Sequence, residues 1–219
     1  MVADGKTDPD QAAAFIAEVK VLRGLFYYWL LDGYGNVPIV KSFADADPNP
    51  ATASRAEVFT FIKEDLEANV PNLSRTVDQS TYARATYYMG QALLAKLHLN
   101  AEVYTGSPSW QGVIDACDAI IDGGAYSLEG NYFANFNEEN SGSAENIFVI
   151  PYDENQAQGF NIPAQTLHYS SQETFNLTFQ PWNGYCAVQE FYESYEDGDL
   201  RKGESGNCLL YTSPSPRDS

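Results

Sequence analysis

Between Gln165 and Tyr185 the chain interleaves five rings, Tyr169, Phe175, Phe179, Trp182 and Tyr185, with the amides of Gln165, Gln172, Asn176, Gln180 and Asn183. A pyranose offers an apolar C–H face that stacks on a ring, and amides both donate to and accept from hydroxyl groups. This mixture therefore suits a neutral, polyhydroxylated ligand. The competing reading is a small satellite core packed beneath a long loop.

Other chemistries lack their residues. The two histidines, His98 and His168, belong to no ligand cluster of the His-Glu-x-x-His kind. There is no Gly-x-Ser-x-Gly elbow and no Walker-type phosphate loop. Gly33-Tyr34-Gly35-Asn36-Val37-Pro38 starts like a dinucleotide fingerprint, but Pro38 replaces the last glycine and the segment ends a helix. Glu138-Glu139, Asp153-Glu154 and Glu196-Asp197-Gly198-Asp199 could be cast as glycosidase acids, which must stand ~5–10 Å apart; their plain reading is a solvated acidic face. Asp197 and Asp199 do not continue as a calcium loop, because Arg201 and Lys202 follow where oxygen ligands are needed. Cys117, Cys186 and Cys208 form no Cys-x-x-Cys pair and read as small buried hydrophobes. No catalytic residue, metal or cofactor is expected.

Charge narrows the field further. Twelve basic residues face 30 acidic ones, for a net charge of −18 and a pI near 4.2. Nucleic acid and anionic lipid both call for a basic face, so neither is an expected partner. No apolar run reaches the ~18 residues of a spanning helix, and the N-terminal residues carry no export signal. With 44% hydrophobic residues in 219, the chain can build a core.

Four amphipathic helices fit the first 122 residues. The first follows Asp8-Pro9 with a stripe of Phe15, Val19, Leu22, Phe26, Trp29 and Gly33, and Gly35 and Pro38 stop it. The second opens on the capping box Ser54-Arg55-Ala56-Glu57 and ends at Pro71. The third is expected from about Thr81 to Tyr104, with Thr86, Gly90, Leu93, Leu97 and Ala101 on one face. The fourth follows Ser107-Pro108 with Trp110, Val113, Ile114, Cys117, Ile120 and Ile121, and stops at Gly123-Gly124. The last two make an antiparallel hairpin of the size of a tetratricopeptide-type repeat. Beyond Tyr126 the helical period fades. Asn146 to Tyr152 reads as a short buried strand, Gln156 to Gly184 as a long structured loop, and Val188 to Tyr195 as a short helix.

Together these motifs resemble the SusD/RagB family. Ala17-Glu18-Val19-Lys20-Val21-Leu22-Arg23 with Tyr27-Tyr28, then Gly35-Asn36-Val37-Pro38-Ile39-Val40, is similar to its signature, as are Arg55 to Leu73, Arg84-Ala85-Thr86, Ala144-Glu145-Asn146-Ile147-Phe148 and Phe191 to Arg201. The resemblance implies a mostly α fold of tetratricopeptide-like (TPR-like) helical hairpins carrying a loop-rich, minor-β ligand-binding subdomain. It implies no enzyme, but a surface-exposed outer-membrane lipoprotein that captures oligosaccharide or polysaccharide, in some members peptide. Import then runs through a SusC-like TonB-dependent transporter. The family's lipid-bearing Cys is absent and the chain stops short of the usual C-terminus, so it reads as a fragment of roughly the first half.

The expected organisation is residues 1–125 as the helical region and 126–205 as an incomplete ligand-binding region. Residues 206–219 read as translated adapter sequence rather than native chain. Trp182 and Tyr185 are the expected ring platforms, Asn183 the hydroxyl partner, Tyr169 and Phe179 supporting rings, and Tyr34 a further ring. The competing functions are a TPR-type scaffold for peptide or protein, and a glycoside hydrolase.

Overall fold

The computed structural model describes residues 8–199, apart from 43, 45, 46, 138, 139, 154 and 160. The chain divides into two compact units, Met1–Pro151 and Tyr152–Ser219. The first contains helix α1 (Pro9–Tyr34), two-residue strands β1 (Val37–Pro38) and β2 (Thr52–Ala53), and helices α2 (Arg55–Asn69), α3 (Tyr87–Leu99), α4 (Ala101–Thr105) and α5 (Trp110–Ile121). The second contains three single-turn helices, α6 (Ile162–Thr166), α7 (Ser171–Phe175) and α8 (Gln189–Glu193). The architecture is mostly α, as expected.

Local signals set the helix ends. The Asp8 carboxylate accepts the Asp10 N–H at 2.9 Å, and Pro9 occupies the first helical position. Gly35, at φ 73°, closes α1 by donating its N–H to the Leu31 carbonyl at 2.9 Å. α2 has a complete capping box: the Ser54 N–H reaches Glu57 Oε2 at 2.7 Å, and the Glu57 N–H reaches Ser54 Oγ at 3.3 Å. The Ser54 hydroxyl, then its N–H, holds the Glu57 carboxyl below its ordinary range. β1 and β2 pair antiparallel, Val37 opposite Ala53, and so pinch off the long loop between α1 and α2.

α3 departs from expectation at both ends. Its first helical residue is Tyr87, because Thr86 caps it by accepting the Met89 N–H at 3.2 Å, while Ala83 just before takes a left-handed φ of 60°. At the other end Asn100 breaks the helix into α3 and α4. The expected face of Thr86, Gly90, Leu93, Leu97 and Ala101 is buried throughout.

α1 packs on α2 and α3 on α5, so two helical hairpins share one core around Val21, Leu31, Val58, Ile62, Leu66 and Leu97. Close approach runs through small residues. A Cβ added at Gly24 would stand 2.9 Å from Leu66, one at Gly112 2.7 Å from the His98 ring, and one at Gly123 2.6 Å from Tyr88. Here the sequence-predicted stripes need correction. α1 buries Ala12, Ala17, Val21, Gly24 and Leu31 and leaves Phe15, Val19, Phe26 and Trp29 exposed. α5 buries Ala116 and exposes Trp110, Ile114 and Ile121. The smooth face wins because Leu66, His98 and Tyr88 fill the hollows over the glycines.

The signature residues turn out to be fasteners. Arg23 donates through Nε (2.8 Å) and Nη2 (2.6 Å) to Asp65 Oδ2, joining α1 to α2. Arg84 meets Glu18 at 2.6 Å. The Asn36 amide oxygen accepts the Arg55 N–H at 2.8 Å, and Glu145 accepts from the Glu129 N–H and the Asn135 amide.

Two local expectations fail. Asn146 to Tyr152 forms no strand: Ile147 and Phe148 pack on the core, but no neighbouring segment supplies a ladder. The cysteines are not buried either, Cys117 being half-buried and Cys186 exposed. Cys208 and residues 206–219 lie outside the described residues, as do Leu200, Arg201 and Lys202.

Candidate functional site

Main-chain hydrogen bonds fasten the ring-bearing segment of the second unit. α6 begins at Ile162-Pro163 and stops after one turn, which leaves its last carbonyls without helical donors. The returning segment supplies them. Trp182 N–H donates to the Ala164 carbonyl at 2.6 Å, Gly184 and Tyr185 N–H to Gln165 at 2.7 and 3.0 Å, and Asn183 N–H to Leu167 at 3.1 Å. Asn183 makes this wrap possible by taking φ 50°, a conformation its short polar side chain tolerates. Gly184 fits because a Cβ there would sit 3.3 Å from the Gln165 carbonyl.

With the peptide groups spent on α6, the side chains stay in water. Trp182 is 61% exposed and Tyr185 67%. The Asn183 amide and Tyr185 hydroxyl have no hydrogen bond among the described residues. Tyr169 and Phe179 are also exposed. The Tyr169 ring lies against buried His168, with centroids 3.8 Å apart, and His168 Nδ1 accepts the Ser170 N–H at 3.1 Å. Trp182, Asn183 and Tyr185 thus share one clip, and Tyr169 follows the clip's anchoring carbonyls by two residues. Tyr34 ends α1 in the first unit, highly exposed.

Among the acidic pairs, Asp153 does structural work. Asp153 Oδ1 accepts the Gln156 and Asn155 N–H groups at 2.6 and 2.7 Å, and these bonds hold its carboxyl below the ordinary range, unsuited to donating a proton at neutral pH. Glu138, Glu139 and Glu154 lie outside the described residues. Among the described residues no His, Cys, Asp and Glu cluster could hold a metal, and no helix is long and apolar enough to cross a membrane.

Sequence reasoning missed one cleft. A space of about 370 Å³ in the first unit is lined by Gln79, Tyr82, Arg84, Tyr126, Asn146 and Phe148 among others. None of the six sequence-predicted site residues reaches it. Arg84 and Asn146 belong to the signature motifs, and that was the only available signal. Burial pushes the Tyr126 phenol up from its ordinary value.

Comparison with known proteins finds SusD-like relatives. The chain is 27% identical over 192 residues to the starch-binding protein SusD of Bacteroides thetaiotaomicron, covering 83% of this chain and 34% of that one. It is 25% identical over 209 residues to a SusD-like protein of Bacteroides ovatus, covering 91% and 37%. Its fold matches surface glycan-binding protein A of Bacteroides thetaiotaomicron, solved with laminarihexaose, at a TM-score of 0.76 and 22% identity, over 90% of this chain and 43% of that one. The chain is similar to SusD-like proteins in sequence and in fold. No family model matches it. The helical hairpins are therefore the TPR-like repeats of SusD-like proteins, and the chain spans about a third of the length of the curated SusD-like relatives it matches.

Proposed function

We propose that this SusD-like chain binds oligosaccharide without cleaving it, through the ring-bearing segment of its second unit. The observation that carries the reading is the main-chain clip, which fixes Trp182, Asn183 and Tyr185 on α6 while leaving their side chains unengaged. Trp182 and Tyr185 stack on sugar faces, Asn183 exchanges hydrogen bonds with ring hydroxyls, and Tyr169 and Phe179 widen the platform. Tyr34 is an exposed ring of the other unit and a separate contact. The glycan-binding relatives support the ligand class. By the same kinship, the protein acts as a surface-exposed outer-membrane lipoprotein that hands glycan to a SusC-like TonB-dependent transporter. Affinity is modest, since a flexible, well-hydrated ligand loses freedom on binding.

The test is calorimetry with laminarihexaose and malto-oligosaccharides, alongside a glycan array. Trp182→Ala should abolish binding while leaving the melting temperature in place. Loss of fold in that variant would make the ring structural. Sustained release of reducing ends from a polysaccharide panel would make the protein a hydrolase.

A further inference from the structure

The cleft of about 370 Å³ lies wholly in the first unit and is lined by none of the residues of the clip. Its volume is in the lower range of small-molecule pockets. Both walls are fixed by their own hydrogen bonds. On one side the Arg84 N–H donates to the Thr81 carbonyl at 3.1 Å, closing a turn, and Thr81 Oγ1 donates to the Thr76 carbonyl at 3.0 Å. Ala83 within that turn holds a left-handed φ of 60°, a strain that a non-glycine residue keeps only where its surroundings over-determine it. On the other side the Ser127 N–H donates to the Ala144 carbonyl at 3.0 Å, and Ser143 Oγ to the Asn135 amide oxygen at 2.6 Å. Tyr126 and Phe148 are held by packing on the helical core.

What these walls leave over has a definite chemistry. The side chains of Gln79, Tyr82 and Asn146 line the space and make no hydrogen bond among the described residues. The charged residues of the lining are already engaged, Arg84 with Glu18 at 2.6 Å and Asp78 with the Ser80 N–H at 2.7 Å. An ion is therefore a poor occupant. Two amides and a phenol can both donate to and accept from hydroxyl groups, while the rings offer apolar area. We propose that this cleft is a second saccharide site taking one or two sugar rings. Gln79, Tyr82 and Asn146 meet the hydroxyl groups, and Tyr126 and Phe148 meet the C–H faces. The site shares the ligand class of the clip and none of its residues. So few contacts give millimolar strength, below what calorimetry of the longer chains reads, and the loss expected of Trp182→Ala stands.

Side-chain NMR of the 219-residue chain tests the site. The probes are maltose and laminaribiose, and the control is mannitol, an open-chain polyol without a ring face. Either disaccharide should shift the amide NH2 signals of Gln79 and Asn146 saturably at ~1–10 mM, and mannitol should leave them in place. The shifts should persist in Trp182→Ala. At Asn146 the response should weaken about fivefold in Gln79→Ala, an exposed substitution, and by a similar factor in Tyr82→Phe, which removes only a hydroxyl. Signals that neither disaccharide moves, or that mannitol moves equally, would overturn the site. So would shifts that vanish in Trp182→Ala, which would assign them to the clip, and a response that both cleft variants leave at full strength. Failure of the clip is read separately, as a Trp182→Ala protein that keeps its laminarihexaose binding while the Gln79 and Asn146 signals respond as stated.

Discussion

The two units use their apolar residues in opposite ways. In the first, buried aliphatic and aromatic side chains from α1, α2 and α3 meet in one core, and ion pairs such as Arg23–Asp65 lock helices already held by packing. In the second, Ala164 and Pro181 are the apolar residues buried among the described positions, while Ile162, Tyr169, Phe175, Phe179, Trp182, Tyr185, Val188 and Phe191 are exposed. Order there comes from main-chain hydrogen bonds onto α6 and from left-handed turns at Asn176 and Asn183. Buried side chains hold the first unit together, whereas the second is held largely through its main chain.

That contrast can be broken by mutation. The largest effect should come from Leu66→Ala, which empties a fully buried position beneath Gly24 and should cost about 3 kcal/mol in chemical denaturation. Ser54→Ala removes the hydroxyl half of the α2 capping box and should cost about 1 kcal/mol; Ser54→Asp should restore most of it. A smaller effect concerns pH. Burial first, then the Lys63 charge, lowers the His98 pKa below its ordinary 6.5. The unfolded chain therefore takes up the proton first, so stability is full above pH 6.5 and declines as pH falls through the depressed value. Melting curves between pH 7.5 and about 5 should show this slope, and His98→Gln should flatten it. The smallest stability change should come from Tyr185→Ala, within about 0.5 kcal/mol, because an exposed ring holds nothing in place. The same variant should weaken laminarihexaose binding about tenfold, or 1.4 kcal/mol. A Tyr185→Ala protein that melts as low as Leu66→Ala would erase the distinction between the units.

What was legible in the sequence was mostly local. Asp8-Pro9, the Ser54–Glu57 box and Gly35 announce helix ends because each acts on backbone groups a few residues away. The expected face of α3 was readable, although Tyr88, Met89 and His98 outside it are buried as well. α1 was not readable in this way. It has two apolar sides, and the choice of the Ala17–Gly24 side depends on Leu66 and Ile62 arriving from another helix. The expected strand at Asn146 to Tyr152 had the right residues and lacked a partner, which no local pattern can reveal. At the candidate site, ring and amide composition pointed to the segment, but the hydrogen bonds to α6 that present it join residues about twenty positions apart.

The clip between α6 and the returning segment has an evolutionary consequence. Because peptide groups do the fastening, the indole at position 182 and the phenol at position 185 can be exchanged without rebuilding the scaffold, while Asn183 and Gly184 answer to backbone geometry. On the proposed reading, a lineage meeting new polysaccharides retunes its preference by single codon changes at the first two positions, with folding left untouched. Diversity among close homologues should concentrate there and thin out at the pair between them.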